Sequence, residues 1–144
     1  MTGGRWHRML RVAPEINVSS LSAIDDNRAR VLQSRHALDD TRTQRVIDYM
    51  TAHLEDSIDL DDLAAAACLS SFHFARLFRN RTGVPPYRFL STMRLERAKM
   101  LLQNTSVQLS EIALVCQFSN QTNFTRAFRQ FAGVTPSVFR KITR

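Results

Sequence analysis

From Thr41 onward, apolar residues recur at helical spacing through nearly the whole chain, and nowhere do they alternate with a period of two for long enough to form a strand. Val46, Ile47, Met50 and Leu54 mark a first helix. A second, short helix is predicted at about Leu60 to Cys68, with Asp59, Asp61 and Asp62 gathered where a helix N-terminus favours negative charge. Ser70 or Ser71 can cap a third helix carrying Phe74, Leu77 and Phe78, and Gly83 stops it. Pro85-Pro86 opens a long fourth helix striped by Phe89, Leu90, Met93, Leu95, Ala98, Leu101 and Leu102, ending in the polar turn Gln103-Asn104-Thr105-Ser106. The pattern then restarts: Leu109 to Cys116, a turn at Gln117 to Asn120, a helix through Phe124 and Phe128, Gly133, Pro136 and a last short helix at 137 to 142. Residues 1 to 40 differ. Their sparse apolar positions are broken by Thr2-Gly3-Gly4, Pro14 and Ser19-Ser20, which predicts a tail, mobile at least to about residue 22, with a weak helix across Ile24 to Leu38.

The restart is a repeat. Leu63-Ala64 matches Ile112-Ala113 at an offset of 49, as Leu69-Ser70 matches Phe118-Ser119. After one extra residue the offset is 50, and Phe74, Arg76, Phe78, Arg79, Gly83, Val84 and Pro86 match Phe124, Arg126, Phe128, Arg129, Gly133, Val134 and Pro136. The chain therefore carries two copies of helix, tight turn, helix, Gly-x-x-Pro. Each makes sense as a helix-turn-helix, because an alanine-rich first helix (Ala64 to Ala67) lets a second helix cross closely. With the phenylalanines turned inward, the third helix presents Phe72, His73, Ala75, Arg76 and Arg79. The second copy presents Gln121, Thr122, Asn123, Arg126 and Arg129, with Asn120 at its start. Arg, Asn, Gln and Thr can read base edges or hold phosphates. Plain solvation of an amphipathic helix is the blander reading, but it requires only some polar residue, not the same arginines at equivalent positions twice.

Charge agrees with this surface. The 20 Lys+Arg against 13 Asp+Glu give a net charge of +7, and the pI is near 10.7, which favours a polyanionic partner. Residues 1 to 40 contribute 6 Arg and 5 acids, whereas 41 to 144 contribute 14 Lys+Arg and 8 acids, so the basic character belongs to the repeats. A length of 144 residues allows one ordinary domain or two very small ones and excludes elaborate multidomain enzymes. The longest apolar run, Leu63 to Leu69, is far short of the roughly 20 residues that span a bilayer. Arg5, His7, Arg8 and Arg11 interrupt any signal-peptide core, so the expected location is cytoplasmic, with no membrane partner.

Cys68 and Cys116 are too few for a disulfide framework and are expected as buried apolar thiols. His7, His36, His53 and His73 show no i, i+4 pairing with one another or with a cysteine, so no metal site is expected. Asp56, Asp59, Asp61 and Asp62 are read first as helix caps, with an acidic surface for RNA polymerase as the second reading. No Gly-rich phosphate loop, Gly-x-Ser-x-Gly elbow or Cys/His dyad is present, and neither an enzyme nor a cofactor is expected.

Residues 42 to 142 resemble the DNA-binding module of the AraC/XylS transcription regulators. The second half carries most of the likeness: Ile112-Ala113, Phe118-Ser119, Phe124-x-Arg126-x-Phe128-Arg129, Gly133 and Pro136, together with Arg94-Leu95-Glu96-x-Ala98-x2-Leu101-Leu102 in the long helix. The resemblance implies an all-α, homeodomain-like fold of seven helices, with two helix-turn-helix subdomains (41–84 and 103–144) joined by a linker helix (85–102). It also implies two recognition helices in successive major-groove segments of promoter DNA. A linker of about 17 residues spans roughly 25 Å, enough to hold two such helices near the ~34 Å separation of adjacent major-groove faces. The two faces differ, so the expected site is asymmetric.

The chain departs from the family at Gln117, where the family usually has Gly, at Cys68, where it often has Gly, and at Phe139, where it favours Tyr. A side chain held at positive φ would cost about 1 kcal/mol. Phe72 and Ala75 fall on positions the family often uses for base contact, which leaves Arg76 as the main polar reader of the first helix and apolar contact, as with thymine methyls, for the other two. Residues 1 to 40 are too short and polar for an effector domain, so no small-molecule site is expected. The chain reads as a stand-alone two-motif regulator, or else as the C-terminal part of a longer one. The function expected is a sequence-specific DNA-binding regulator that recruits or occludes RNA polymerase, acting as an activator in the first case. The rivals are an AraC-like interaction protein that regulates family members without touching DNA, and a basic helical protein binding membranes or RNA without specificity.

Overall fold

Capping chemistry written into the sequence sets the ends of most helices in the computed structural model, which describes residues 38–144. The helices are α1 Asp40–Ala52, α2 Leu60–Ala66, α3 Ser71–Thr82, α4 Pro86–Asn104, α5 Leu109–Val115, α6 Gln121–Ala132 and α7 Pro136–Ile142, with no strand among the described residues. The tail expected at the N-terminus and the weak helix over Ile24 to Leu38 lie outside the described residues, save Leu38 to Asp40. Leu38 is buried and non-helical, just ahead of α1. No described helix is long and apolar enough to cross a membrane.

Of the four aspartates expected as caps, Asp59 and Asp62 act as such before α2, whereas Asp56 and Asp61 take side-chain partners instead. Asp59 Oδ1 accepts the Asp62 N–H at 2.8 Å, and Asp62 Oδ2 accepts the Asp59 N–H at 3.1 Å, a reciprocal pair that satisfies two otherwise orphaned amides. Asp61 accepts the Ser71 hydroxyl, and Asp56 Oδ2 lies 3.1 Å from His53 Nδ1. Ser70, rather than Ser71, caps α3, Asn120 caps α6 and Thr135 caps α7. Gly83 and Gly133 end α3 and α6 at φ 84° and 83°, in the left-handed region that glycine enters without steric cost. The fourth helix runs to Asn104, 19 residues in all, two beyond the apolar stripe.

The helices α2 and α5 end alike. Leu69 N–H bonds to Ala64 C=O at 3.0 Å and Cys68 N–H to Ala65 C=O at 3.0 Å; Phe118 N–H bonds to Ala113 C=O at 2.9 Å and Gln117 N–H to Leu114 C=O at 3.0 Å. This double closure puts the intervening residue at positive φ, and Cys68 (57°) and Gln117 (63°) adopt it without being glycine. The same geometry corrects the reading of Cys68. It lies beyond the helix, not inside it, and the left-handed backbone turns its side chain to solvent, so it is exposed whereas Cys116 is buried.

The described residues form two compact units, 38–52 with 58–89, and 53–57 with 90–144. In the first, Val46, Ile47 and Met50 of α1 are buried, as are Leu63, Ala64 and Ala67 and, from α3, Phe74 and Phe78. The Phe74 and Phe78 centroids are 5.5 Å apart, and Phe89 meets Phe78 edge-on at 5.3 Å. Arg81 pairs with Asp40, fastening the end of α3 to the start of α1. Thr82 is fully buried and satisfies its hydroxyl on Phe78 C=O at 2.8 Å.

In the second unit Leu95, Ala98, Leu102, Ile112, Ala113, Cys116, Phe124 and Phe128 form the core. Phe124 and Phe128 are 5.8 Å apart, and Phe139 meets Phe128 edge-on at 5.4 Å. Phe74-Phe78-Phe89 and Phe124-Phe128-Phe139 are therefore one aromatic triplet built twice, fifty positions apart. Burying one such ring contributes roughly 2 to 3 kcal/mol. Arg94 extends the repeat: its guanidinium donates to Leu54 C=O at 3.1 Å and Asp56 C=O at 2.8 Å, and Arg144, fifty residues on, donates to Thr105 C=O. Each arginine thus holds the loop ahead of the first helix of a helix-turn-helix.

Candidate nucleic-acid interface

The sequence that buries Phe74 and Phe78 of α3 at i, i+4 leaves its other arc to solvent. Phe72, His73, Arg76 and Arg79 are exposed there, and Ala75 is half-buried. Phe72 is 75% exposed, which fits a surface meant to be covered by something else more than a packed core position. The local geometry orders this arc. Ser70 Oγ accepts the His73 N–H at 3.3 Å and lies 2.9 Å from its Nδ1, the His73 ring meets Phe72 edge-on at 6.0 Å, and the Arg76 guanidinium carbon stands 6.0 Å from the Phe72 centroid. Arg76 is one helical turn beyond Phe72, so the ring supports a guanidinium whose donors stay available to solvent.

On α6 the exposed residues are Gln121, Thr122, Asn123, Arg126, Arg129 and Gln130, with Asn120 exposed at the cap. Asn120 Oδ1 accepts the Asn123 N–H at 2.8 Å, and Asn123 Nδ2 donates to Ser119 Oγ at 2.7 Å. Those two carboxamides hold the helix start in shape, which divides them from Gln121, Thr122, Arg126 and Arg129. The latter line an open groove along α6 together with Thr125, Gln130, Gly133 and Thr135. Sequence reasoning passed over Thr125, Gln130 and Thr135. The signal for Thr125 was its place one turn after Thr122; Thr135 gave none beyond its cap position.

The charge pattern is as uneven as the burial. No Asp or Glu occurs between Asp62 and Glu96, a stretch with Arg76, Arg79, Arg81, Arg88 and Arg94, and none follows Glu111, after which come Arg126, Arg129, Arg140, Lys141 and Arg144. Both outer arcs therefore carry no carboxylate of their own, which favours an anion, and the nearest one bonded to α3 is Asp61, on the Ser71 hydroxyl at its start. Away from the arcs, burial lowers the Arg94 pKa, and burial with the Glu55 charge pushes the Cys116 thiol up to about 11. Among the described residues no group of three or more His, Cys, Asp or Glu could hold a metal ion.

Comparison with known proteins gives the arrangement a context. A helix-turn-helix domain family matches residues 63–142, more than half of the chain. The HTH-type transcriptional regulator GbdR of Pseudomonas aeruginosa is 36% identical over 95 residues, covering 66% of this chain and 26% of its own length. The transposon Tn10 TetD protein of Escherichia coli is 38% identical over 96 residues, covering 67% of this chain and 70% of its own length. The chain spans 39% of the length of the probable regulator LumQ of Photobacterium leiognathi, so several relatives are much longer. An AraC-type transcriptional regulator from Chromobacterium violaceum superposes with a TM-score of 0.68 at 30% identity, over 72% of this chain and 92% of that one. The DNA-binding domain of AdpA, solved in complex with a target DNA, superposes with a TM-score of 0.66 at 31% identity, over 74% and 95%.

Proposed function

The chain belongs to the AraC-type helix-turn-helix family of transcriptional regulators and carries its DNA-binding domain, and from that premise we propose that it binds an asymmetric promoter site through both recognition helices. Each of α3 and α6 enters one of two successive major-groove segments. Base edges are read by Arg76, with apolar contacts from Phe72 and Ala75 and a polar one from His73, and by Gln121, Thr122 and Arg126; Asn123 and Asn120 flank the second set. Arg79 and Arg129, a turn further on, hold phosphates. Because the two arcs differ in every exposed residue except the repeated arginines, the site has a direction. Bound there, the protein recruits RNA polymerase or blocks it.

The observation that carries this reading is the recurrence of exposed Arg76 and Arg79 at Arg126 and Arg129 on two helices whose other faces are buried alike. The test is selection from random duplexes followed by Arg76→Ala and Arg126→Ala on the recovered site. Each should weaken binding by about 1 to 3 kcal/mol and relax base preference at its own position. Affinity unchanged by either substitution would instead favour a protein that regulates its relatives by pairing with them.

A further inference from the structure

The two reading helices share a frame but not a chemistry. Around the α6 groove stand Thr122, Thr125, Gln130 and Thr135; the residues fifty positions earlier are Phe72, Ala75, Asn80 and Pro85. Three hydroxyls in the second copy thus replace an aromatic, a methyl and an imide nitrogen without a proton. The groove also contains Arg126 and Arg129 and is lined by no carboxylate. Thr135 Oγ1 accepts the Val138 N–H at 3.3 Å, which leaves its proton free to donate to a ligand. Gln130 is exposed and adds amide donors, and Gly133 leaves its mouth without a side chain, with nothing within 4 Å of where a Cβ would stand. A concave site of hydroxyl, amide and guanidinium donors around an unobstructed floor suits an oxyanion with several acceptor oxygens.

We infer that this groove seats a backbone phosphate of the bound DNA, with Arg129, Gln130 and Thr135 as its donors, and that the first helix-turn-helix, with Arg79 and Asn80 but Pro85 in place of Thr135, holds its phosphate with one donor fewer. The inference rests on the DNA-binding reading above and adds to it an unequal sharing of the anchoring. Both copies hold a phosphate through contacts blind to sequence, but the second, with one donor more, is the stronger anchor of the protein's register on the duplex.

The experiment uses the full chain, the duplex recovered by selection and a scrambled duplex. Thr135→Asp keeps a side-chain acceptor for the start of α7 but places a carboxylate in the groove; Thr135→Asn keeps the cap without the charge. T135D is expected to weaken binding to both duplexes alike by at least ten-fold while T135N stays within about three-fold, and Gln130→Ala should weaken both by a common factor with the consensus unchanged. In the wild type, methylphosphonate scanning should find one linkage in the second half-site whose neutralisation weakens binding, and in Arg129→Ala the same replacement should have no further effect. The inference is overturned if T135D binds as T135N does, or if Q130A changes the preferred base at one position, which would make the groove a base reader. A wild type that prefers no duplex, or whose binding is indifferent to Arg76→Ala and Arg126→Ala, would remove the DNA-binding reading itself, a result distinguishable because it appears before any groove variant is made.

Discussion

Cys68 and Gln117 occupy the same backbone position in the two repeats, each at positive φ between the last turn of one helix and the cap of the next. At that position the backbone crowds any Cβ, at a cost of roughly 1 kcal/mol that glycine avoids.

Cys68→Gly is accordingly expected to raise stability by about 1 kcal/mol, read as a higher urea midpoint at unchanged slope. Gln117→Gly should gain less. Its Nε2 donates to Glu55 C=O at 2.6 Å, a bond the glycine forfeits. Equal gains at both sites would show that the Gln117 bond contributes nothing.

Asn120 separates folding from reading. Its carboxamide oxygen caps α6, so Asn120→Ala should cost about 1 kcal/mol of stability whereas Asn120→Ser, another good cap, should cost less than about 0.5. If Asn120 also contacts DNA, N120S will lose affinity at full stability. Thermal melts beside binding isotherms distinguish the two.

The two thiols should behave oppositely. Exposed Cys68 is expected to react with one equivalent of a thiol reagent in the native protein at pH 8, and Cys116 only on unfolding. Burial, then the Glu55 charge, raises the Cys116 pKa from 9.0 to about 11. The unfolded chain therefore releases this proton at lower pH than the folded one, and the thiol's contribution to stability is complete below about pH 9 and falls as pH rises toward 11. Cys116→Ala should flatten that decline; an unchanged pH profile would assign it to other groups.

Arg79 serves to check the assignment of positioning contacts. Arg79→Ala should weaken binding about equally on every duplex and make the plot of log affinity against log salt shallower by about one, whereas Arg76→Ala should also change which base is preferred. A change of base preference in R79A would make it a reader.

Much of this arrangement was legible because helices advertise themselves locally. Phe74 and Phe78, the glycine stops at Gly83 and Gly133, and the paired arginines follow from spacing alone, and the repeat confirmed each copy with the other. What spacing could not supply was the direction of a side chain at a helix end. Cys68 sits in an alanine-rich run and so reads as buried, yet the carbonyls of Ala64 and Ala65 draw the chain into a closure that turns it outward. Asn120 and Asn123 read as free recognition groups, yet both are engaged with their own helix start. The equivalence of Phe89 with Phe139 and of Arg94 with Arg144 was present in the offset of fifty, but it became visible only when the rings and the loop carbonyls were seen in contact.

Arg94 grips its loop by peptide oxygens, groups with no proton to gain, and a guanidinium stays charged at any pH a protein meets. Acidification that unlatches the carboxylate clasp of Arg97 on Glu55, in the same segment, leaves this fastening closed. Segment 53–57 should therefore keep its hold on Arg94 as the medium turns sour, even once its own carboxylates have let go.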